Sequence, residues 1–262
     1  MLSTRILQLT DLHIFRDPNA RLRGIPTFQL LCDVVEHIKQ SGEDFDFVVV
    51  TGDHTHDELQ ESYSAVRQEL SPWLDRLFQV PGNHDDRTVL RSVFSDRIAG
   101  QGDARINFTF QARNWLCLGL DTHVPSSVPG LIDAEQIAWA KEQVRSFKPD
   151  MIGLFLHHPP VNIGSEWMDI IGLSGKEILL DWFQEEPRIR FACCGHVHHE
   201  FQTRWNQTDI LTTPSTGIQF SPQGSTPTFV ADPPGYRIIE LNPEGYTTRV
   251  IRLPETRFAP VI

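Results

Sequence analysis

No stretch of this chain approaches the roughly 18 consecutive apolar residues of a membrane-spanning helix. The first residues lack a basic segment followed by an apolar run, and Leu2 to Thr10 is too short for a signal peptide and reads as a strand. A cytoplasmic protein with no membrane partner is the expectation. Cysteine is scarce, at four in 262 residues, and no Cys-x-x-Cys pair occurs. That excludes a disulfide framework and argues against a structural zinc site. Cys193 and Cys194 sit together in an apolar run, Cys117 in another and Cys32 in a helical pattern, so buried reduced thiols are expected. Positive charge is in the minority, with 23 Lys and Arg against 34 Asp and Glu and a net charge of -11. Such a chain repels a polynucleotide backbone, although a small phosphate ester remains possible where bound metal ions dominate the local field. There is no Gly-x-x-x-x-Gly-Lys-[Ser/Thr] loop and no Gly-x-Ser-x-Gly elbow, so P-loop and serine-hydrolase chemistry have no anchor.

What the chain does have is a repeated junction: an apolar run that ends at once in a metal-binding side chain. Ile6–Thr10 runs into Asp11 and His13, Phe47–Thr51 into Gly52-Asp53, and Leu77–Val80 into Gly82-Asn83-His84-Asp85. Ile152–Leu156 runs into His157-His158, and Phe191–Cys194 into Gly195-His196-Val197-His198; Leu116–Leu120 into Asp121 is a weaker echo. A parallel strand buried on both faces reads as a continuous apolar run, and ligands in such sheets gather beyond the strands' carboxyl ends. Of the eleven histidines, six follow these runs directly. His37, His123 and His199 read instead as surface or hydrogen-bonded core residues.

The pattern from 1 to about 200 alternates strand and helix, an α/β rhythm. Thr27–Gln40 carries Leu30, Leu31, Val34, Val35 and Ile38 at helical spacing. Asp133 with Gln136, and Ser174 with Glu177, have capping-box spacing and open helices running to Phe147 and Phe183. From about Glu200 the rhythm changes to short strand candidates, Ile210–Thr212, Tyr236–Leu241 and Thr247–Leu253. The Pro-rich stretch Ser221–Gly235 reads as an excursion or hairpin. This tail finishes a sheet, covers the site, or pairs with another subunit in a homo-oligomer; sequence leaves the three open. The whole of 1–262 reads as one domain.

Asp11, His13, Asp53, Asn83, His157, His196 and His198 are too many ligands for one ion and suit two that share Asp53 through its two oxygens. Mixed nitrogen and oxygen donors suit iron, manganese, zinc or cobalt better than magnesium or calcium. Two divalent ions bring four positive charges against the two carboxylates Asp11 and Asp53. The surplus would hold an anionic ester and lower the pKa of a bridging water. Asp121-Thr122-His123 imitates the first motif, and Asp121 and His123 read as rim or supporting residues.

In this order the motifs resemble the calcineurin-like metallophosphoesterases over positions 4 to about 200. The resemblance implies a four-layer α-β-β-α sandwich with a dinuclear centre at the strand ends. It implies one metal on Asp11, His13, Asp53 and His198, and a second on Asp53, Asn83, His157 and His196, with iron and manganese as the pair. It makes His84 the residue that contacts phosphate and protonates the leaving oxygen, and sets substrate against His13, Asn83, His84 and His198. A narrower likeness extends to the tail. His157-His158-Pro159-Pro160 with Trp167-Met168-Asp169, Thr213-Pro214-Ser215-Thr216 with Gln219-Phe220, Pro234-Gly235-Tyr236-Arg237 and Glu255-Thr256-Arg257-Phe258 resemble bacterial class III 3',5'-cyclic AMP phosphodiesterases. That implies attack of a metal-bridging hydroxide on cyclic AMP. A glycerophosphodiesterase or broad phosphodiesterase of the same fold is the alternative, and a non-catalytic scaffold of this fold a further one. Asp53 is followed by His54, where the family more often has an apolar residue. His54 reads as part of a solvated or hydrogen-bonded loop, or as a histidine that tunes the bridging carboxylate. Trp167 either packs a loop or walls a base pocket.

Overall fold

A computed structural model describes residues 3–261. The elements follow the chain as β1 (Thr4–Leu9), α1 (Thr27–Gln40), β2 (Phe47–Thr51), α2 (Gln60–Glu69), β3 (Leu77–Val80) and α3 (Arg87–Val93). Next come β4 (Phe108–Ala112), β5 (Trp115–Leu120), β6 (Gly130–Leu131), α4 (Ala134–Phe147), β7 (Met151–Leu156), α5 (Glu166–Ile170), β8 (Leu173–Ser174) and α6 (Lys176–Glu185). The chain closes with β9 (Ile189–Cys194), β10 (Phe201–Trp205), β11 (Thr208–Thr212), β12 (Gln219–Phe220), β13 (Phe229–Val230), β14 (Gly235–Asn242) and β15 (Gly245–Arg252). Among the described residues no helix is long and apolar enough to cross a membrane.

Two large sheets form, in the orders β15-β14-β1-β2-β3 and β10-β11-β9-β7-β5-β4. The strands that end in motifs run parallel within each sheet, β1 with β2 and β3 in one, β5 with β7 and β9 in the other. Antiparallel strands fill the margins: β14 and β15 on one sheet, β4 and β10 on the other.

The alternation of side chains along each strand builds four layers. Ile6, Val49 and Ile239 of the first sheet meet Cys117, Phe155, Phe191 and Leu211 of the second in a core between the sheets. Their neighbours Leu7, Leu9, Val48 and Val50 point the other way, onto Leu31, Val34, Val35 and Ile38 of α1. Leu116, Leu118, Leu154 and Leu156 likewise pack against Ile137 and Val144 of α4 and Leu179 and Trp182 of α6. Each such fully buried aliphatic side chain contributes about 1.5–3 kcal/mol. This is the α-β-β-α sandwich, and it explains why the strands read as unbroken apolar runs.

Two local expectations change. Asp133 does cap α4, accepting from the Gln136 amide at 3.0 Å, but the Gln136 side chain donates to the Asp121 carbonyl at 2.7 Å instead of returning to the cap. Ser174 caps nothing: it lies in β8, where its carbonyl accepts from Ile132, and α6 starts from Gly175 at φ +71°. A Cβ at Gly175 would overlap the Ile132 carbonyl, so pairing of β6 with β8 takes the place of a side-chain cap. Cys117, Cys193 and Cys194 are buried free thiols, whereas Cys32 is only half-buried.

Candidate metal centre

The loops leaving β1 and β2 run side by side, with Asp11 N donating to the Gly52 carbonyl (3.1 Å) and His13 N to the Asp53 carbonyl (3.0 Å). The Asp53 Oδ1 accepts from the His84 amide at 2.8 Å, tying in the loop after β3. Asp11 accepts from the His196 amide at 3.0 Å, and Gly195 donates to the His157 carbonyl at 3.0 Å, tying in the loops after β7 and β9. The glycines of the motifs exist for this crowding. A Cβ at Gly195 would overlap Thr10 Oγ1 and lie 2.9 Å from Asp11 Oδ2; at Gly82 it would overlap Asp53 Oδ1.

The turns are strained as well as tight. Among the described residues eleven non-glycines have positive φ, and five are ligand candidates: Asp11 (54°), His13 (48°), Asp53 (52°), His196 (70°) and His198 (52°). Such conformations cost on the order of 1–3 kcal/mol each and persist only where the surrounding structure holds them.

All seven expected ligands come together. Asp11, His13, Asp53 and His198 offer atoms within 4.8 Å of one another. Asn83 Oδ1 lies 3.2 Å from His157 Nε2 and 3.1 Å from His196 Nδ1. Asp53 joins the two groups through a single oxygen, Oδ2, at 3.4 Å from His13 Nε2 and 3.5 Å from His157 Nε2. Its Oδ1 accepts from the His84 amide, and Oδ2 is the oxygen that lies near both His13 and His157.

The outward nitrogens of three rings meet backbone carbonyls: His157 Nδ1 on Thr51 (2.7 Å), His196 Nε2 on Ile171 (3.1 Å) and His198 Nδ1 on Ile218 (2.8 Å). Only an N–H can face a carbonyl, so each neutral ring turns a lone pair inward. Those lone pairs then face other acceptors, Asn83 Oδ1 for His157 and His196, and Asp11 Oδ1 at 3.4 Å for His198. Acceptors packed against acceptors in a buried pocket need positive charge between them.

The ionisation of the pocket points the same way. Burial favours the neutral ring of His157, yet Asp53 and then Asp11 hold its pKa up at about 9. Burial also opposes the Asp53 carboxylate, but His157 and His13 keep its pKa well below the usual range. Burial and the charge of His157 push His196 down to about 3. Without metal a proton on His157 meets the demand for charge; a bound cation would displace it. The donor set and its outward hydrogen bonds therefore fit a pair of metal ions.

His84 stands beside this group, half-buried, its ring 4.9 Å from that of His13 and edge-on to it. His158 is buried among His157 and His196, but Thr122 Oγ1 (2.8 Å) and the Val128 carbonyl (3.0 Å) occupy both of its nitrogens. Asp121 accepts from Arg87 Nε and Nη2 (2.7 and 2.9 Å), the Ile106 amide (2.7 Å) and the His123 amide (2.9 Å), a supporting role with no oxygen to spare. His37 meets Tyr236 Oη (3.1 Å) and His199 meets the Val197 carbonyl (2.7 Å), as bland core partners do.

His54 is not solvated. It is fully buried, and its Nδ1 lies 2.9 Å from Asp85 Oδ2. Asp85 also accepts from the Gly82 amide (2.9 Å) and Tyr63 Oη (3.0 Å), so His54 helps lock the turn that carries Asn83 and His84. Trp167 packs a loop with Ile163, Met168 and Val197 and meets Phe220 edge-on at 5.3 Å. Phe220 itself lies flat on His198, centroids 3.9 Å apart and planes within 6°. Neither Asp85 nor Phe220 could be assigned a place at the site from sequence, since their partners are set by the tertiary fold.

Comparison with known proteins agrees with this architecture. The chain is 33% identical over 257 residues to the 3',5'-cyclic adenosine monophosphate phosphodiesterase CpdA of Escherichia coli K12, covering 98% of this chain and 92% of that protein. It is 27% identical over 248 residues to a probable glycerophosphodiester phosphodiesterase GpdQ of Arcobacter nitrofigilis, covering 93% and 91%. A dimetal phosphatase from Danio rerio shares the fold at 16% identity, with a TM-score of 0.63 over 95% of this chain and 98% of that one. The calcineurin-like phosphoesterase family model matches residues 4–200. With three quarters of its length inside that match and every motif loop converging on one pocket, the chain belongs to the calcineurin-like phosphoesterase family.

Proposed function

We propose that this protein is a dinuclear-metal phosphodiesterase that hydrolyses 3',5'-cyclic AMP to 5'-AMP, acting as one domain over its whole length. The observation that carries the reading is the pair of ligand groups sharing Asp53 Oδ2, inward lone pairs facing inward acceptors. Asp11, His13, Asp53 and His198 would hold one ion, and Asp53, Asn83, His157 and His196 the other, with iron and manganese the favoured pair. When bound, the ions supply positive charge for the phosphoryl oxygens and acidify water.

Hydrolysis joins a water oxygen to phosphorus and breaks the bond from phosphorus to the 3' oxygen, which leaves with a proton. His84, half-buried at the edge of the pocket, is the group assigned to deliver that proton. Its amide on Asp53 Oδ1 holds it at a fixed distance from the shared carboxylate. His13, Asn83 and His198 line the same face, where the phosphate would rest. Likeness to CpdA over nearly the full chain supports cyclic AMP as substrate.

Likeness to GpdQ favours a second reading, hydrolysis of glycerophosphodiesters. The test is kcat/KM for cyclic AMP against glycerophosphocholine on one manganese-loaded preparation. A preference for cyclic AMP supports the first reading; a preference for glycerophosphocholine replaces it. No turnover of either, nor of an aryl phosphodiester, would return the chain to a scaffold role.

A further inference from the structure

Three of the four candidate ligand histidines have their outward nitrogen fixed by a carbonyl, and His13 does not. Its Nε2 faces the pocket, 3.1 Å from His198 Nε2 and 3.4 Å from Asp53 Oδ2. Its Nδ1 faces His56 Nδ1 at 3.4 Å, a long N–H···N contact. The backbone brings these two rings together: Ile14 bridges Thr55 in parallel, and His56 N donates to the Ile14 carbonyl at 3.0 Å. His56 is itself held on two sides, by Phe15 at 4.8 Å and by His84 at 4.7 Å with planes 21° apart.

We propose that His56 is a positioning residue for His13. The His56 Nδ1 lone pair accepts the His13 Nδ1–H, which fixes the tautomer that turns the His13 Nε2 lone pair into the pocket. Its own proton then sits on Nε2. His56 does for His13 what the Thr51, Ile171 and Ile218 carbonyls do for the other three rings. The near-parallel stack on His84 sets that ring's plane from the same support. The rings of His13, His56 and His84 do offer atoms within 4.8 Å of one another. A neutral His13, however, has one lone pair, already turned to Asp53 and His198, so a positioning role suits the trio better than a third ion.

The inference rests on the metal-centre reading, and the test separates the two. His56→Asn keeps an acceptor, Oδ1, where Nδ1 stood, without the ring; His56→Phe keeps a ring for Phe15 and His84 without the acceptor. Manganese is titrated calorimetrically into metal-free wild type and variants, and kcat/KM is measured on bis(p-nitrophenyl) phosphate. His56→Phe is expected to weaken one of two ions by about 10–100-fold, the usual cost of losing a ligand's partner, while His56→Asn stays close to wild type. Should the phenyl ring not fit, His56→Ala takes its place in the comparison. Wild-type affinity in the acceptor-less variant, or an Asn variant as weak as it, overturns the assignment to His56 alone. A wild type that binds no manganese overturns the metal centre and this inference with it.

Discussion

Asp11-x-His13 and Asp121-x-His123 are the same motif after the same kind of strand, yet the structure gives them opposite surroundings, so isosteric Asn substitutions should part them. Asp121 is wholly buried and receives four donors, two of them from the guanidinium of Arg87, whose side chain is 7% exposed. In Asp121→Asn the guanidinium keeps the His123 carbonyl at 2.7 Å and a 3.5 Å contact to exposed Asp103. Breaking one side of such a buried pair costs about 3–5 kcal/mol. At roughly 2.1 cal/mol/K of unfolding entropy per residue, that lowers Tm by about 5–9 °C. Asp11→Asn removes a buried carboxylate whose one cationic neighbour, protonated His157 at 4.0 Å, still keeps Asp53 at 3.5 Å, and Asn can still accept from the His196 amide. The metal-free variant should therefore melt close to wild type or above it, as expected where stability is given up for function.

Calorimetric melting of metal-free protein and manganese stoichiometry by equilibrium dialysis read the two effects separately. Asp121→Asn should melt early and bind two ions; Asp11→Asn should melt normally and lose one. An Asp121→Asn protein of normal Tm that binds one ion fewer would show that the Arg87 pair had been misread and that the second motif holds metal.

Three further outcomes follow from the same geometry. Gly195→Ala forces a Cβ onto Thr10 Oγ1 and toward Asp11 Oδ2, so phosphodiester hydrolysis should fall at least 100-fold, measured with manganese at saturation, on the scale of about 1 Å misplacements. Phe220→Ala removes the stack on His198, worth about 0.5–1.5 kcal/mol, and should weaken manganese binding about two- to tenfold by calorimetric titration. Asp133 has its pKa held low chiefly by hydrogen bonding to Arg105, so its contribution is present above the unfolded carboxylate pKa and is lost as pH falls through the lower folded value. Asp133→Ala should lose about 1 kcal/mol of cap at neutral pH and show a shallower loss of stability on acidification, followed by urea midpoints against pH.

Much of the fold could be read because its central strands are buried on both faces and so carry unbroken apolar runs, while α1 matches its stripe residue for residue. Pieces with no periodicity were out of reach. Strands β6 and β8 pair over two residues each, and so do β12 and β13, which is too short for any alternation to register. That is why Ser174 looked like a helix cap: its role in β8 depends on Ile132, forty-two residues earlier. His54 is hydrogen-bonded, one of the forms its loop reading allowed, and sequence could not name its partner for a related reason. A histidine in a loop is ordinarily wet, and only the fold brings Asp85 and Tyr63 around to bury it.

The tail shows where the remaining information resides. It contributes none of the seven candidate ligands, yet it encloses their first loop. Thr216 N donates to the Thr10 carbonyl at 3.2 Å and Ser215 Oγ to the Asp11 carbonyl at 2.6 Å, while the Ile218 carbonyl orients His198 and Phe220 covers its ring. Of the three roles open to it in sequence, the structure shows two: β14 and β15 complete a sheet, and the segment before them closes over the pocket. The candidate ligands are legible because few side chains can bind metal and these come directly after apolar strand runs. The groups that aim those ligands are mostly backbone carbonyls, and every residue has one. A carbonyl that selects a tautomer leaves no mark on composition or spacing. His56 is the informative exception, since the group proposed to select the His13 tautomer is a side chain and can be tested by changing a residue type.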